Sequence, residues 1–462
     1  MNKTIPLDSP NISRTLFKLA LPAVVANVCN LLYSLVDKIF IGMLPNGINA
    51  MAGIGVTLPL ALLVSSFSLL VGMGGASLQA IALGKRDYEE AENILANGFI
   101  LLLIIAAVLS ATLFLFKDQL LYILGASEAT IGYASDYLGM YLLGTPFILI
   151  VLGMSPYVNA QGFTKVSMVA VMIGAISNIV FDVIFIFGLG MGVRGAGLAT
   201  VFAQFLAMLW IMRFLFRDEA IVKIKISTLR LKKDASYKIL ALGVSPLIIQ
   251  STEFLVMATY NRQLLQLGGD VYIALFAVMH TLMMLVGLPI MGISKGAAPL
   301  ISFNYGAKNY DRVRAVIKLY FVIVVGYLFV YNLLLMLFPQ PAVSIFQRSP
   351  EILQIAPGAI RIYFFVLILS GVQMVCQQTF IAMKKPKQAI FLGLLRRVVL
   401  VMPLIYLLPV ILPESIVNPP NAALMAVPIA DIITTIVAAF LFAKLYRKEL
   451  LQESDPTVSR CD

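Results

Sequence analysis

An all-α integral membrane fold, with twelve transmembrane helices in two six-helix lobes related by a pseudo-two-fold axis along the membrane normal, is what this sequence predicts. Three observations carry the prediction. Of 462 residues, 60% are hydrophobic and only 12% charged, with a mean hydropathy of +0.94, where soluble domains carry about 25% charged residues. The apolar residues fall in unbroken runs long enough for a helix to cross a bilayer, which takes roughly 20 residues, and they lack the period-2 alternation of a transmembrane β-barrel. Finally, the chain repeats itself. Gly84 and Tyr88 in GKRDYEEA match Gly306 and Tyr310 in GAKNYDRV at a shift of 222 residues (306 less 84), and Ala160 and Lys165 match Ala382 and Lys387 at the same shift.

Apolar runs closed by Gly, Pro, Asn or charge place the first six spans near 16–43, 50–75, 95–116, 135–159, 166–188 and 195–216. The second six follow near 238–262, 271–299, 316–338, 355–380, 386–411 and 422–445. The most polar connection separates the sets, so the expected organisation is an N-lobe at 1–217, a cytoplasmic linker at 218–237, a C-lobe at 238–446 and a cytoplasmic tail at 447–462. Basic residues collect on the cytoplasmic side of membrane proteins. With the N-terminus inside, only Lys38, Lys117, Arg194, Arg262, Arg348 and Arg361 fall outside, and Lys295, Arg396 and Arg397 fall within spans, which leaves 25 of the 34 basic residues inside. That asymmetry supports twelve spans with both termini cytoplasmic. An even number of spans per half makes both halves enter from one side, and two such lobes facing each other enclose a central cavity about which they can rock, the geometry of alternating access.

Several function classes are excluded at this level. The formal charge of +11 sits in the connections, with no soluble basic domain to bind nucleic acid. Cys29, Cys376 and Cys461 are too scattered for a disulfide framework or a metal site. His280 is the single histidine, which leaves zinc chemistry and histidine-based triads nothing to build on. There is no phosphate-binding loop, and no nucleophile, base and oxyanion-stabilising set from which to assemble an enzyme. No cofactor is expected.

Intramembrane charge is where function is most legible. Only Asp37, Asp182, Glu253 and Asp431 among the 23 acidic residues sit well inside apolar spans, at an insertion cost of about 2.5 to 3.5 kcal/mol each unless paired, hydrated or protonated. Asp37 lies about 21 residues up the first span and Asp182 about 16 up the fifth, so both reach the outer half at about 1.5 Å per residue. Thr200 begins the descending sixth span at similar depth. Tyr33 precedes Asp37 by four residues and Asn178 precedes Asp182 by four, so each pair shares a helix face. Two carboxylates, an amide, a phenol and a hydroxyl make an oxygen-rich, anionic cluster suited to Na⁺ or a proton, or a hydrogen-bonded packing cluster. In the C-lobe, Glu253, His280 and Asp431 share a middle depth with Arg396 and Arg397 nearby; a structural ion pair and a coupling or substrate site fit them about equally. Pro22 interrupts the first span on the cytoplasmic side of Asp37 and removes one backbone hydrogen bond, which marks that span as a candidate hinge. The span methionines Met154, Met257, Met279, Met283, Met284 and Met291 suit either an adaptable cavity or ordinary packing and lipid contact.

Four segments carry a resemblance: LPAVVANVCNLLYSLVDKIFIG at 21–42, QGFTKVSM at 161–168, NIVFDVIFIFGLGMGVRGAGLAT at 178–200 and APLISFNYGAKNYDRV at 298–313. Over essentially its full length the chain resembles the multidrug and toxic compound extrusion transporters, and in the last segment their bacterial multidrug efflux subgroup. The resemblance implies a secondary antiporter of the bacterial cytoplasmic membrane that expels organic cations and drugs in exchange for Na⁺ or H⁺. It also implies a monomer in the lipid bilayer, with Pro22, Tyr33, Asp37, Asn178, Asp182 and Thr200 matching the N-lobe cation site. Some members pair a seventh-span glutamate with a tenth-span aspartate. Glu253 fits the first, while the tenth span offers Gln373, Gln377 and Gln378 and no acid, so the N-lobe is the expected ion site. The alternative is a flippase for a lipid-linked anionic headgroup, whose cavity should be markedly basic; here three span basics face four span acids. A channel is a third reading, against which stands the absence of a selectivity-filter sequence.

Overall fold

The computed structural model describes residues 6–44, 47–225, 229–346 and 349–451. Lys3, Arg348, Arg460 and Cys461, and the tail from 452 onward, lie outside the described residues. What is described is helical, without strands. Ten helices are long and apolar enough to span a bilayer, and two bent pairs bring the number to twelve. The first half comprises Ile12–Gly42, Gly47–Gly84, Tyr88–Leu115, the pair Ile131–Leu143 and Thr145–Ala160, Thr164–Asp182 with its π-helical extension Val183–Gly188, and Gly192–Leu215. The second half comprises Lys233–Gly269, Val271–Gly306, Tyr310–Leu337, the pair Pro350–Tyr363 and Leu367–Ala382, Pro386–Ile411 and Pro419–Leu451.

Each expected span is present, and most helices run one or more turns past the predicted ends. The expected spans close at a Gly, Pro, Asn or charge, and a helix in the membrane continues through such residues into its first polar turn. Asp87 caps the third span by accepting from the Glu90 N–H, and Asn309 caps the ninth by accepting from the Arg312 N–H; a side-chain oxygen here satisfies a donor that the helix start leaves open. The fourth span bends by 57° at Gly144, next to Pro146, which cannot donate to the preceding turn. The first span runs through Pro22 as continuous helix.

The repeat extends into the backbone. Tyr88–Leu115 and Tyr310–Leu337 are helices with both ends 222 residues apart (310 less 88), and Gly47–Gly84 and Val271–Gly306 end at that same shift. Left-handed residues recur at the same shift: Arg86 with Lys308, and Gly162 with Lys384.

The chain divides into two compact units, Met1–Leu247 with Ser302–Lys308, and Ile248–Ile301 with Asn309–Asp462. In the first unit the end of the second span crosses residues 302–308 in a reciprocal contact. A Cβ on Gly84 would stand 1.9 Å from the Phe303 carbonyl oxygen, and one on Gly306 would stand 2.1 Å from the Ile81 carbonyl oxygen. Only glycine permits backbones to approach so closely. The segment after the sixth span is strapped to the same unit. Val222 and Ile224 are buried, the Val222 N–H donates to Gln161 Oε1 at 2.9 Å, Lys225 meets Glu92 at 2.6 Å, and the Lys232 N–H donates to Asn97 Oδ1 at 2.7 Å. On its exposed side Lys223 donates to Asp218, holding that carboxyl below its usual range. The second unit holds the rest of the seventh and eighth spans and the last four, with Tyr260, Tyr320, Phe364 and Phe380 among its fully buried side chains.

Candidate functional site

The first, fifth and sixth spans pack on one another, and the first helix of the fourth span packs on the sixth. Their facing residues assemble the N-terminal cluster. Asp182 ends the regular part of the fifth span and is fully buried. Neither of its carboxylate oxygens accepts a hydrogen bond from a described residue, and the same is true of Asn178 Oδ1 one turn earlier. Asp37 lies within electrostatic reach of Asp182, and Tyr33, on the same face of the first span, interacts with Asp37. Across from them the Asn178 amide donates to the Thr200 hydroxyl at 3.4 Å, and that hydroxyl donates to the Ala196 carbonyl at 3.1 Å. The five N-lobe residues singled out by spacing are therefore neighbours. Pro22 sits fifteen positions before Asp37 on the same helix (37 less 22), outside the cluster.

Three further residues belong to it. Tyr137 interacts with Asp37 and Tyr33 and reaches the Thr200 hydroxyl, and Tyr141 stacks on it with ring centroids 6.2 Å apart. They come from the bent fourth span, whose acid, Asp136 near the start of the helix, pairs with Arg194 at 2.9 Å and flags neither tyrosine. Gln204 follows Thr200 by four residues, faces Gly174 across the fifth span, and has a buried Oε1 without a donor among the described residues. Its helical spacing from Thr200 was the available signal. One turn beyond the two acids an apolar group of Ile41, Ile54, Ile186 and Val193 closes the cluster, with Phe40 and Phe187 edge to face at 5.7 Å.

A buried carboxylate is normally paired or hydrogen-bonded, because leaving it bare costs several kcal/mol. Acceptor oxygens without donors, gathered around two acids, are what a small cation or a proton satisfies. No group of three or more His, Cys, Asp and Glu side chains is placed to hold a metal ion among the described residues, so an ion bound here relies on amide oxygens beside the carboxylates. The wider turn Val183–Gly188 directly after Asp182 is of a kind that recurs at functional sites.

The second unit organises its charges differently. Arg396 Nε meets Asp431 Oδ1 at 2.5 Å with side chains 18% and 3% exposed. Arg397 meets Glu253 at 2.6 Å with side chains 17% and 48% exposed. Arg397 also donates to the Ile249 carbonyl and, at 3.4 Å, to the Thr252 hydroxyl. Both arginines lie in a second π-helical segment, Leu395–Val401. Tyr363 interacts with Glu253, Arg396 and Asp431, and Tyr260 with Arg396 and Asp431. His280 is half-buried and joins none of these pairs. Gln373 is buried on the tenth span, and Gln377 donates to the Ala389 carbonyl at 2.9 Å.

Two repeated six-span halves with buried acids in mid-membrane define a multi-pass membrane protein with the fold of a secondary transporter. The chain belongs to the MatE family, whose profile matches residues 22–184 and 246–407, each segment beginning at a proline. Members of this family are transporters rather than enzymes. The multidrug export protein MepA of Staphylococcus haemolyticus is 26% identical over 365 residues, covering 79% of this chain and 80% of that protein. The fold superposes on an outward-facing multidrug resistance MATE transporter of the MOP superfamily with a TM-score of 0.89 at 23% identity, over 97% of this chain and 99% of that one. A MATE protein in a bent conformation gives a TM-score of 0.89 at 22% identity, over 97% and 100% of the two chains.

Proposed function

We propose that this chain is a secondary antiporter that exports organic cations and drugs across the bacterial cytoplasmic membrane by alternating access, taking inward Na⁺ or H⁺ as its driving ion. It acts as a monomer with both termini cytoplasmic. The observation that carries the reading is Asp182, fully buried with both carboxylate oxygens free of donors among the described residues and with Asp37 in electrostatic reach. An ion entering between them satisfies those oxygens and neutralises the repulsion of two close carboxylates. Tyr33, Asn178 and Thr200 complete and position the ligand set, and Pro22 gives the first span its point of bending. Coupling follows if the cluster binds the ion more tightly in one conformation than in the other, since only differential affinity shifts such an equilibrium. The name of the staphylococcal relative, a multidrug export protein, supports a drug as the substrate.

The test is efflux of a fluorescent organic cation from proteoliposomes under separately imposed Na⁺ and pH gradients. One gradient drives the dye in the wild type, and Asp182→Asn abolishes gradient-driven movement while the protein remains inserted and folded. Wild-type efflux by that variant overturns the assignment.

A further inference from the structure

Deep in the second unit the two ion pairs are built unequally. Asp431 is sealed, its side chain 3% exposed against Arg396, so that pair is closed to any ligand. Glu253 is 48% exposed although it stands near the middle of the 37-residue span Lys233–Gly269. A carboxylate open to hydrocarbon at that depth is strongly disfavoured, so its open side belongs to an aqueous surface. Its partner is anchored independently. One edge of the Arg397 guanidinium is held by the Ile249 carbonyl and the Thr252 hydroxyl, and Arg396 precedes it in the widened turn Leu395–Val401. If Glu253 swings away, Arg397 keeps its place and turns a free edge of its planar donor fork toward the same surface.

We propose that Arg397 and Glu253 form an exchangeable ion pair that admits a zwitterionic substrate, taking the substrate's carboxylate on Arg397 and its ammonium or iminium group on Glu253. This rests on the export function proposed above. The charge pattern selects the class. A cation drawn to Glu253 strips Arg397, 17% exposed, of its counter-charge and leaves a poorly hydrated guanidinium alone, the costly outcome for a buried charge; an anion drawn to Arg397 sets a second negative charge beside the Glu253 carboxylate. A molecule bearing both charges replaces both partners at once. Tyr363, half-buried, interacts with Glu253 and offers an aromatic ring beside the pair for the body of such a compound.

Rhodamine 110 and its methyl ester rhodamine 123 share one chromophore, the acid being zwitterionic at neutral pH and the ester a monocation. Binding of both dyes to the purified full chain, read by fluorescence polarisation, is compared among the wild type, Arg397→Gln and the neutral pair Arg397→Gln with Glu253→Gln. The expected result is roughly tenfold or greater weakening for rhodamine 110 in both variants, with rhodamine 123 changed by no more than about twofold in the neutral pair and not weakened in Arg397→Gln, where Glu253 is released from its partner. Equal weakening of both dyes assigns Arg397 a structural role and overturns the proposal, as does unchanged binding of rhodamine 110. Selective loss of rhodamine 110 binding in a protein that exports neither dye leaves this site standing and overturns the transport reading instead.

Discussion

The Asn178 amide nitrogen lies 3.4 Å from the Thr200 hydroxyl, which in turn donates to the Ala196 carbonyl at 3.1 Å. This chain fixes the amide's orientation and leaves Asn178 Oδ1 without a donor among the described residues, in step with the two oxygens of Asp182 one turn on. Thr200→Val keeps the side-chain shape and removes the acceptor that holds the amide. One neutral hydrogen bond is worth about 1 kcal/mol, so the half-saturating concentration of the coupling ion should rise roughly fivefold. Dye affinity in the absence of the ion should stay unchanged. Titrating efflux against the ion measures the first, and equilibrium dye binding the second.

Gln204 gives a prediction with opposite signs for stability and function. Its buried Oε1 has no donor among the described residues, and a buried acceptor left open costs about 1–3 kcal/mol. Gln204→Leu removes that cost at similar volume, so the purified protein should melt at a higher temperature. If the oxygen helps the ion move along the cluster, gradient-driven efflux falls in the same variant. A higher melting temperature with unchanged efflux would make Gln204 a packing residue.

The parts of this molecule legible in sequence were those governed by hydropathy and charge. Twelve spans followed from run lengths, and Asp37, Asp182, Tyr33, Asn178 and Thr200 followed from the cost of mid-membrane polarity and the four-residue period. Tyr137 and Tyr141 escaped because a tyrosine in an apolar run carries no comparable penalty, and only the packing of the fourth span on the sixth brings Tyr137 to Thr200. The pairing of Arg396 with Asp431 and of Arg397 with Glu253 depends on the π-helical turn Leu395–Val401, whose altered register a regular helical wheel does not reproduce. His280 shares their depth but makes none of their bonds, since depth along separate helices says nothing about facing.

The backbone repeat predicts an asymmetry between equivalent loops. Gly162 and Lys384 both adopt left-handed conformations, at φ 86° and 59°, and lie 222 residues apart (384 less 162). A side chain in that region costs roughly 1–2 kcal/mol relative to the right-handed basin, whereas glycine pays almost nothing. Lys384→Gly should therefore stabilise the protein by about 0.5–1 kcal/mol, and Gly162→Ala should destabilise it by about 1 kcal/mol. Denaturation of the two variants in one detergent checks both signs, and equal effects of the same sign would contradict the shared geometry.

Arg396 and Asp431 pose the question of what a sealed ion pair contributes. Asp431→Asn removes the charge that neutralises a guanidinium only 18% exposed, and breaking one side of a buried pair costs about 3–5 kcal/mol. That variant should express poorly or unfold well below the wild type. Replacing both partners, Arg396→Met with Asp431→Leu, takes away two desolvation costs along with their mutual attraction, and such exchanges are often neutral or stabilising by about 1–4 kcal/mol. The double variant should thus regain wild-type thermal stability. Its transport then separates two roles: retained efflux of monocations assigns the pair to the architecture of the second unit, whereas a stable protein with lost efflux assigns these charges to the transport cycle, because at that point folding no longer explains the defect.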